Sequence, residues 1–154
     1  MDFTFKVLEN TRGILKKIIE NNTLENLNKI PKGFNNNIIW NIAHVLVSEQ
    51  LLAYKLSGLD STLSDDMINT YRKDTKPNGN VSQAEVDEIK DLLLSTLEKT
   101  KEDYYDDVFE NYNAYTVSTT GNTLTNIDEA LQFVAIHEGL HYGYILALLK
   151  AIKN

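Results

Sequence analysis

Cysteine is absent from this chain of 154 residues, and proline occurs only twice. The absence of cysteine excludes a disulfide framework, a thiolate metal site and a cysteine nucleophile. Basic residues are also few, because 15 Lys and Arg stand against 22 Asp and Glu, for a formal net charge of −7. An acidic chain without a basic cluster is a poor binder of nucleic acid or anionic membranes. No run of about 18 apolar residues occurs, which argues against a transmembrane span.

The remaining composition is typical of a single globular domain over residues 1–154. Hydrophobic residues make up 42% of the chain and charged residues 24%, which is a globular rather than a disordered balance. The first six residues lack the charged and apolar regions of a signal peptide. We therefore expect one cytoplasmic domain.

Hydrophobic periodicity predicts four long helices and no central strand. The expected helices cover residues 4–19, 36–57, 82–104 and 125–149. Capping boxes are predicted at Ser82 with Glu85 and at Thr125 with Asp128, and Gly58 follows the second helix as a stop signal. This pattern indicates an all-α, four-helix bundle.

Three longer connections separate the helices. Residues 23–33 could hold a short helical turn, 59–81 are polar, and 106–124 include an alternating stretch that allows a short extended piece. The connection after the second helix has more than 20 residues. A chain of that length can run back along the bundle and start the third helix parallel to the second. An up-down-down-up topology is therefore expected.

All three histidines, His44, His137 and His141, fall in predicted helices. His137 and His141 are four residues apart, so they share a helical face and could chelate one ion. They lie on a seam with heptad-like spacing, made up of Ala130, Val134, His137, His141, Tyr144 and Leu148. Burying a polar group without a partner costs about 2–7 kcal/mol. A metal ion between helices would satisfy both imidazoles, and His44 reaches the same depth if its helix is antiparallel.

Other interpretations of these histidines stay open. A histidine pair with this spacing can arise by chance, and His44 belongs to a polar stripe with Asn37, Asn41 and Ser48 that could simply be solvated. Residues 137–141 also match the zinc-protease pattern H-E-x-x-H, with Glu138 as a general base. The extended form of that motif needs Gly and His at positions 144 and 147, where this chain has Tyr and Ala. A peptidase is therefore disfavoured.

Two glycines interrupt the last predicted helix. Gly139 and Gly143 each cost about 1 kcal/mol relative to alanine in a helix. Their spacing of four residues suggests that another helix approaches closely, either within the chain or across a dimer.

A tryptophan four residues before His44, together with the arrangement H-x-x-x-H-x-G-x-I at residues 137–145, resembles the DinB superfamily. Residues 30–34, before the second helix, are similar as well, and the resemblance covers nearly the whole chain. It implies a four-helix bundle of up-down-down-up order that is often dimeric. It also implies one divalent ion, zinc or nickel, bound by His44, His137 and His141.

The superfamily is similar in fold to transferases and isomerases that use bacillithiol, mycothiol or glutathione. The resemblance thus implies a metal-dependent enzyme, either a thiol-dependent S-transferase or a related transferase or hydrolase. The resemblance also implies a small-molecule substrate and a low-molecular-weight thiol as the candidate cosubstrate. Since the chain has no cysteine, a thiolate nucleophile would have to come from outside it. Glu138, Ser48, Asn41 and Tyr144 are the candidates for proton transfer or orientation. The alternative is a non-catalytic metal-binding or interaction bundle.

Overall fold

The computed structural model describes residues 1–153. Its helices are α1 (Asp2–Glu20), α2 (Leu24–Asn28), α3 (Ile38–Ala53), α4 (Asp65–Tyr71), α5 (Gln83–Tyr105) and α6 (Ile127–Lys153). A 3-10 turn, Lys55–Ser57, follows α3. The strands β1 (Tyr115–Thr116) and β2 (Thr123–Leu124) form one antiparallel pair between α5 and α6.

Polar side chains set the beginnings of α3 and α5. Asn37 Oδ1 accepts a hydrogen bond from Trp40 N at 2.9 Å, and Ser82 Oγ accepts from Glu85 N at 3.2 Å. Each bond satisfies an amide that has no partner within the helix. At the other end of the α3 region, Gly58 adopts φ of 75° after the 3-10 turn, a left-handed conformation that favours glycine.

The capping residue of α6 lies one position later than predicted. Asn126, rather than Thr125, caps the helix, because its Oδ1 accepts from Glu129 N at 2.9 Å. The Glu129 carboxylate in turn accepts from Thr125 N at 2.7 Å. The predicted pairing of Thr125 with Asp128 is therefore wrong, in line with the stronger capping preference of Asn over Thr.

Contacts between helix ends give the direction of α5. Tyr105, the last residue of α5, donates a hydrogen bond to Asp2, the first residue of α1, so these helices are antiparallel. Tyr54, just after α3, donates to Asp103 near the end of α5 at 2.6 Å, so α3 and α5 are parallel. The long connection between them runs back along the bundle, as expected.

The fourth long helix completes the topology. Asn41, near the start of α3, lies 2.8 Å from His141 in the second half of α6, which makes α6 antiparallel to α3. The order up-down-down-up is thereby confirmed. Helix α4 was not predicted; its Met67, Ile68 and Tyr71 are buried against the core, so the connection between residues 59 and 81 is more than a polar loop.

Helix α3 is the most deeply placed element. All of its residues are buried except Ser48 and Leu51, because α2, α4, α5 and α6 pack around it. The apolar residues on all sides of α3 thus find packing partners within the chain.

A buried ionic cluster lies in the middle of the bundle. Arg12 of α1 donates from Nε and Nη2 to Oε1 of Glu138 at 2.9 and 2.8 Å, and its Nη1 donates to Thr96 Oγ1 at 2.9 Å. A second carboxylate, Glu49, lies 3.6 Å from Nη2. The Arg12 guanidinium therefore interacts with two buried carboxylates, those of Glu138 and Glu49. Burial raises the pKa of Glu138, although Arg12 opposes the rise.

Within residues 1–153, none of the helices combines the length and hydropathy needed to cross a membrane. The cytoplasmic location stays a prediction from the sequence.

Replacing Arg12 by Met should destabilise the protein by about 3–5 kcal/mol, because two carboxylates would remain buried without a cation. Glu138→Gln should lower the free energy of unfolding by less, since Arg12 would still neutralise Glu49. Urea unfolding at neutral pH measures both losses. Lys101→Met is the control, because its ion pair with Glu9 is partly exposed to solvent and should contribute less than about 1 kcal/mol. Equal losses for Arg12→Met and Glu138→Gln would contradict this account of the cluster.

Candidate metal centre

The three histidine side chains converge between α3 and α6. One ring nitrogen from each of His44, His137 and His141 lies within 4.8 Å of the other two. The ring centroids are 5.2 Å apart for His44 and His137, 4.8 Å for His44 and His141, and 4.5 Å for His137 and His141. Antiparallel packing of the two helices brings residue 44 to the depth of residues 137 and 141.

The orientation of His44 is fixed from two sides. Its Nδ1 lies 2.7 Å from the carbonyl oxygen of Tyr71, and a carbonyl can only accept, so Nδ1 carries the proton. Nε2 therefore keeps its lone pair and accepts from Ser48 Oγ at 3.2 Å. Trp40 stacks on the ring with a centroid distance of 4.7 Å and an interplanar angle of 10°. The Tyr71 hydroxyl is itself tied to Glu85 of α5 at 2.5 Å.

An amide orients His141 in the same way. Asn41 donates from Nδ2 to the carbonyl of Asn37 at 2.7 Å, which leaves its Oδ1 to face His141 Nδ1 at 2.8 Å. His141 therefore donates from Nδ1 and keeps the lone pair on Nε2. The polar stripe of α3 is not a solvated surface, because Asn37, Asn41 and His44 are all buried.

His137 has a buried ring nitrogen that lacks a partner. Its Nδ1 makes no hydrogen bond with any part of the chain that the structure describes. An unpaired buried polar atom costs free energy, and coordination of a cation is one way to satisfy such an imidazole. Imidazole nitrogens suit several transition metals, so the residues present fit a divalent ion.

The three rings are neutral at pH 7, which is the state that binds metal. Burial lowers the pKa of His137 to about 4, and the nearby His44 adds to this effect. Burial also lowers the pKa of His141 to about 3, with contributions from both neighbouring histidines. The pKa of His44 is lowered by burial, although its bond to the Tyr71 carbonyl opposes the change.

A cavity of about 440 Å³ opens onto the histidines, a volume within the range of small-molecule sites. Its lining combines polar residues of the helices with residues of the two long connections. The full set is His44, Ser48, Leu51, Leu52, Lys55, Leu56, Lys73, Tyr115, Val117, Ser118, Thr119, Phe133, His137 and His141. Ser48 and Leu51, the two residues of α3 that are not buried, both belong to it.

The other candidate residues differ in their placement. Ser48 lines the cavity. Asn41 does not line it but contacts Nδ1 of His141. Glu138 follows His137 along the chain, yet its carboxylate points to Arg12 in the bundle interior. Tyr144 is 38% exposed, and its ring packs edge-on against Phe34 at 5.7 Å. Neither Glu138 nor Tyr144 lines the cavity.

Several residues around the site were not identified from the sequence. The carbonyl of Tyr71 holds His44, while Lys73, Tyr115 and Ser118 form part of the cavity wall. All four lie in or next to the connections between long helices. The only signals there were the length of these connections and the alternating pattern at residues 115–119.

Two solved structures with the same fold, both of bacterial proteins, are similar to this chain. The conserved protein of a locus from Enterococcus faecalis has a TM-score of 0.63 and 12% identity, covering 97% of this chain and 95% of its own. YfiT from Bacillus subtilis, described as a probable metal-dependent hydrolase with an unusual four-helix bundle topology, has a TM-score of 0.62 and 19% identity. That alignment covers 99% of this chain and 87% of YfiT. At these identities the likeness establishes the fold.

No curated protein matches the chain. The family model of the DinB superfamily, by contrast, matches residues 7–145, a range that includes all three histidines and all four long helices except their outermost residues. The chain therefore belongs to the DinB superfamily.

Proposed function

We propose that this protein is a metal-dependent enzyme in which His44, His137 and His141 hold one divalent ion, zinc or nickel. The observation that carries the proposal is the convergence of three neutral imidazoles beside a cavity large enough for a small molecule. Structural zinc sites are closed by four protein ligands, whereas catalytic sites have three and keep one position open. The description of the similar YfiT as a probable metal-dependent hydrolase supports the same conclusion.

The chain contributes orientation and shape to this chemistry. The Tyr71 carbonyl and the Asn41 amide hold His44 and His141 with their Nε2 lone pairs free of protons, as outer-shell groups do in metal sites. When bound, the ion would supply a Lewis acid that polarises a substrate oxygen or sulfur atom. Ser48 donates its hydroxyl proton to His44 Nε2 at 3.2 Å. When that nitrogen binds an ion instead, the hydroxyl, which lines the cavity, is released to donate a hydrogen bond to a substrate.

The reaction we propose is transfer or hydrolysis on a small molecule, with a low-molecular-weight thiol as the candidate cosubstrate. The chain has no cysteine, and no carboxylate from residues 1–153 lines the cavity. A thiolate nucleophile would therefore have to enter with a cosubstrate.

Protein purified without a nickel column should carry about one divalent ion per chain. His141→Ala should lose most of this metal, because two imidazoles alone make a much weaker site. Elemental analysis measures the content, and circular dichroism checks that the helices remain. Tyr144→Phe is the matched control, since Tyr144 lies one turn further along α6 and outside the cavity. Unchanged metal content in His141→Ala would rule out the three-histidine site.

Activity tests separate the enzyme from a non-catalytic metal-binding bundle. The metal-loaded protein should turn over either a thiol with an electrophile, such as glutathione with chlorodinitrobenzene, or an ester such as nitrophenyl acetate. A chelator should abolish turnover and added zinc or nickel should restore it, because the ion supplies the Lewis acid. Metal binding without turnover across thiols, electrophiles and esters would favour the non-catalytic alternative.

One surface supports the proposal of a homodimer. A methyl group placed on Gly139 or Gly143 would meet no neighbouring heavy atom of the described chain within 4 Å. The close helix approach that these glycines suggest is thus not made within the chain. Ile136 and Leu140, on the same helix, are 56% and 52% exposed. Small residues flanked by apolar ones would let α6 of a second copy pack closely.

Analytical ultracentrifugation should find a dimer that Gly143→Leu weakens, because the larger side chain keeps two copies of α6 apart. Gly13→Leu is the matched control, since Gly13 is also helical with open space around it. A monomeric wild-type protein at micromolar concentration would exclude this dimer.

A further inference from the structure

Charge along the cavity wall follows a pattern that the proposed metal chemistry does not require. The wall includes the three neutral imidazoles and several apolar residues, with Leu51, Leu56 and Phe133 among them. The other polar residues of the lining are Ser48, Lys55, Lys73, Tyr115, Ser118 and Thr119. The wall thus offers a metal-binding group, an apolar surface and a group of cations and hydroxyls to one molecule.

Lys73 is the better placed of the two cations. Its Nζ donates to Ser118 Oγ at 2.8 Å, which joins the segment after α4 to the hairpin. No carboxylate of residues 1–153, including that of the neighbouring Asp74, lies within ion-pair distance of the Lys73 ammonium group. An ammonium held beside a hydroxyl makes a suitable donor pair for an anion.

Lys55 supplies a second positive charge to the same wall. It contacts Asp60 at 3.3 Å, but the Asp60 side chain is fully exposed and lies outside the cavity. An exposed ion pair of this kind contributes little free energy. Lys55 can therefore leave Asp60 and bind an anionic ligand with little loss of free energy.

The absence of acidic residues from this wall contrasts with the chain as a whole. The protein has 22 Asp and Glu and a net charge of −7, yet the described lining contains two lysines and no carboxylate. Two lysines on the wall give the cavity a local positive potential, although the protein as a whole carries a net negative charge. This local potential favours entry of an anion.

We infer that the substrate is an amphipathic anion, with a carboxylate or phosphate group held by Lys73 and Lys55, an apolar body against the leucines, and its reacting end at the histidines. This inference rests on the proposed metal-dependent function, whose substrate class it specifies. A cationic molecule of the same shape would be disfavoured by the two lysines.

The inference is tested by the binding of three thiols to cobalt-substituted protein. The thiols share a six-carbon chain and differ in the group at its far end. Mercaptohexanoate and mercaptohexyl phosphate should bind about tenfold more tightly than mercaptohexanol, because each adds charge-assisted hydrogen bonds. Calorimetry measures affinity, and the visible spectrum of cobalt reports sulfur coordination. Comparing the two acids decides whether the anion is a carboxylate or a phosphate.

Lys73→Met should reduce the preference for the anionic probes to about threefold or less, and the Lys55→Met/Lys73→Met double variant should remove it. Metal content and mercaptohexanol binding should not change. Lys150→Met is the control, because Lys150 is exposed on α6 and outside the cavity. Equal affinity of wild-type protein for mercaptohexanol and mercaptohexanoate, with sulfur coordinated, would overturn the inference and leave the metal site standing.

A second arm does not depend on metal. Hexanoate and hexanol are titrated into chelator-treated protein and followed by NMR chemical shifts of the cavity residues. A preference for hexanoate that disappears in Lys73→Met supports the anion site even if the histidines bind no metal. The absence of any such preference overturns the inference.

Discussion

The antiparallel packing of α3 against α6 is the constraint on which the rest of the site depends. It sets His44 beside His137 and His141, with centroid distances of 4.5 to 5.2 Å, and it aligns Asn41 with the ring that it orients. A shift of one helical turn, about 5.4 Å, would separate the rings by more than a shared ligand could span. The site therefore requires that the surrounding core keep these two helices in this register.

Successive residues of α6 face two different environments. His137 contributes to the site between α6 and α3, while Glu138 enters the core and binds Arg12 of α1. Arg12 also approaches Glu49 of α3 at 3.6 Å, so the same ionic cluster connects α1, α3 and α6. Buried ionic groups give a modest net stability, but they penalise arrangements in which a charge loses its partner. The cluster thus restricts the ways in which α3 and α6 can slide past each other.

The long helices were predictable from sequence because their signals are local. Ser82 and Glu85 fix the start of α5 through neighbouring groups, and apolar periodicity gives the faces that pack. The inward position of His137 and His141 followed from the same periodicity. Glu138 was harder to place, because the motif H-E-x-x-H suggests chemistry for this residue, while its partner Arg12 is 126 residues away in the chain. Helix α4 is too short to show a period, and Lys73 and Ser118 meet only through the path of two connections.

The acceptor that orients His44 is a main-chain oxygen, that of Tyr71, and this has a consequence for how the site tolerates change. Every amino acid carries such an oxygen, so a substitution at position 71 retains the acceptor. Such a substitution acts instead through the loss of the buried Tyr71 ring from the core and of its hydrogen bond to Glu85. An insertion or deletion between residues 59 and 81 would instead carry the oxygen away from the imidazole. Spacing along this segment, more than its chemical identity, governs which tautomer His44 adopts.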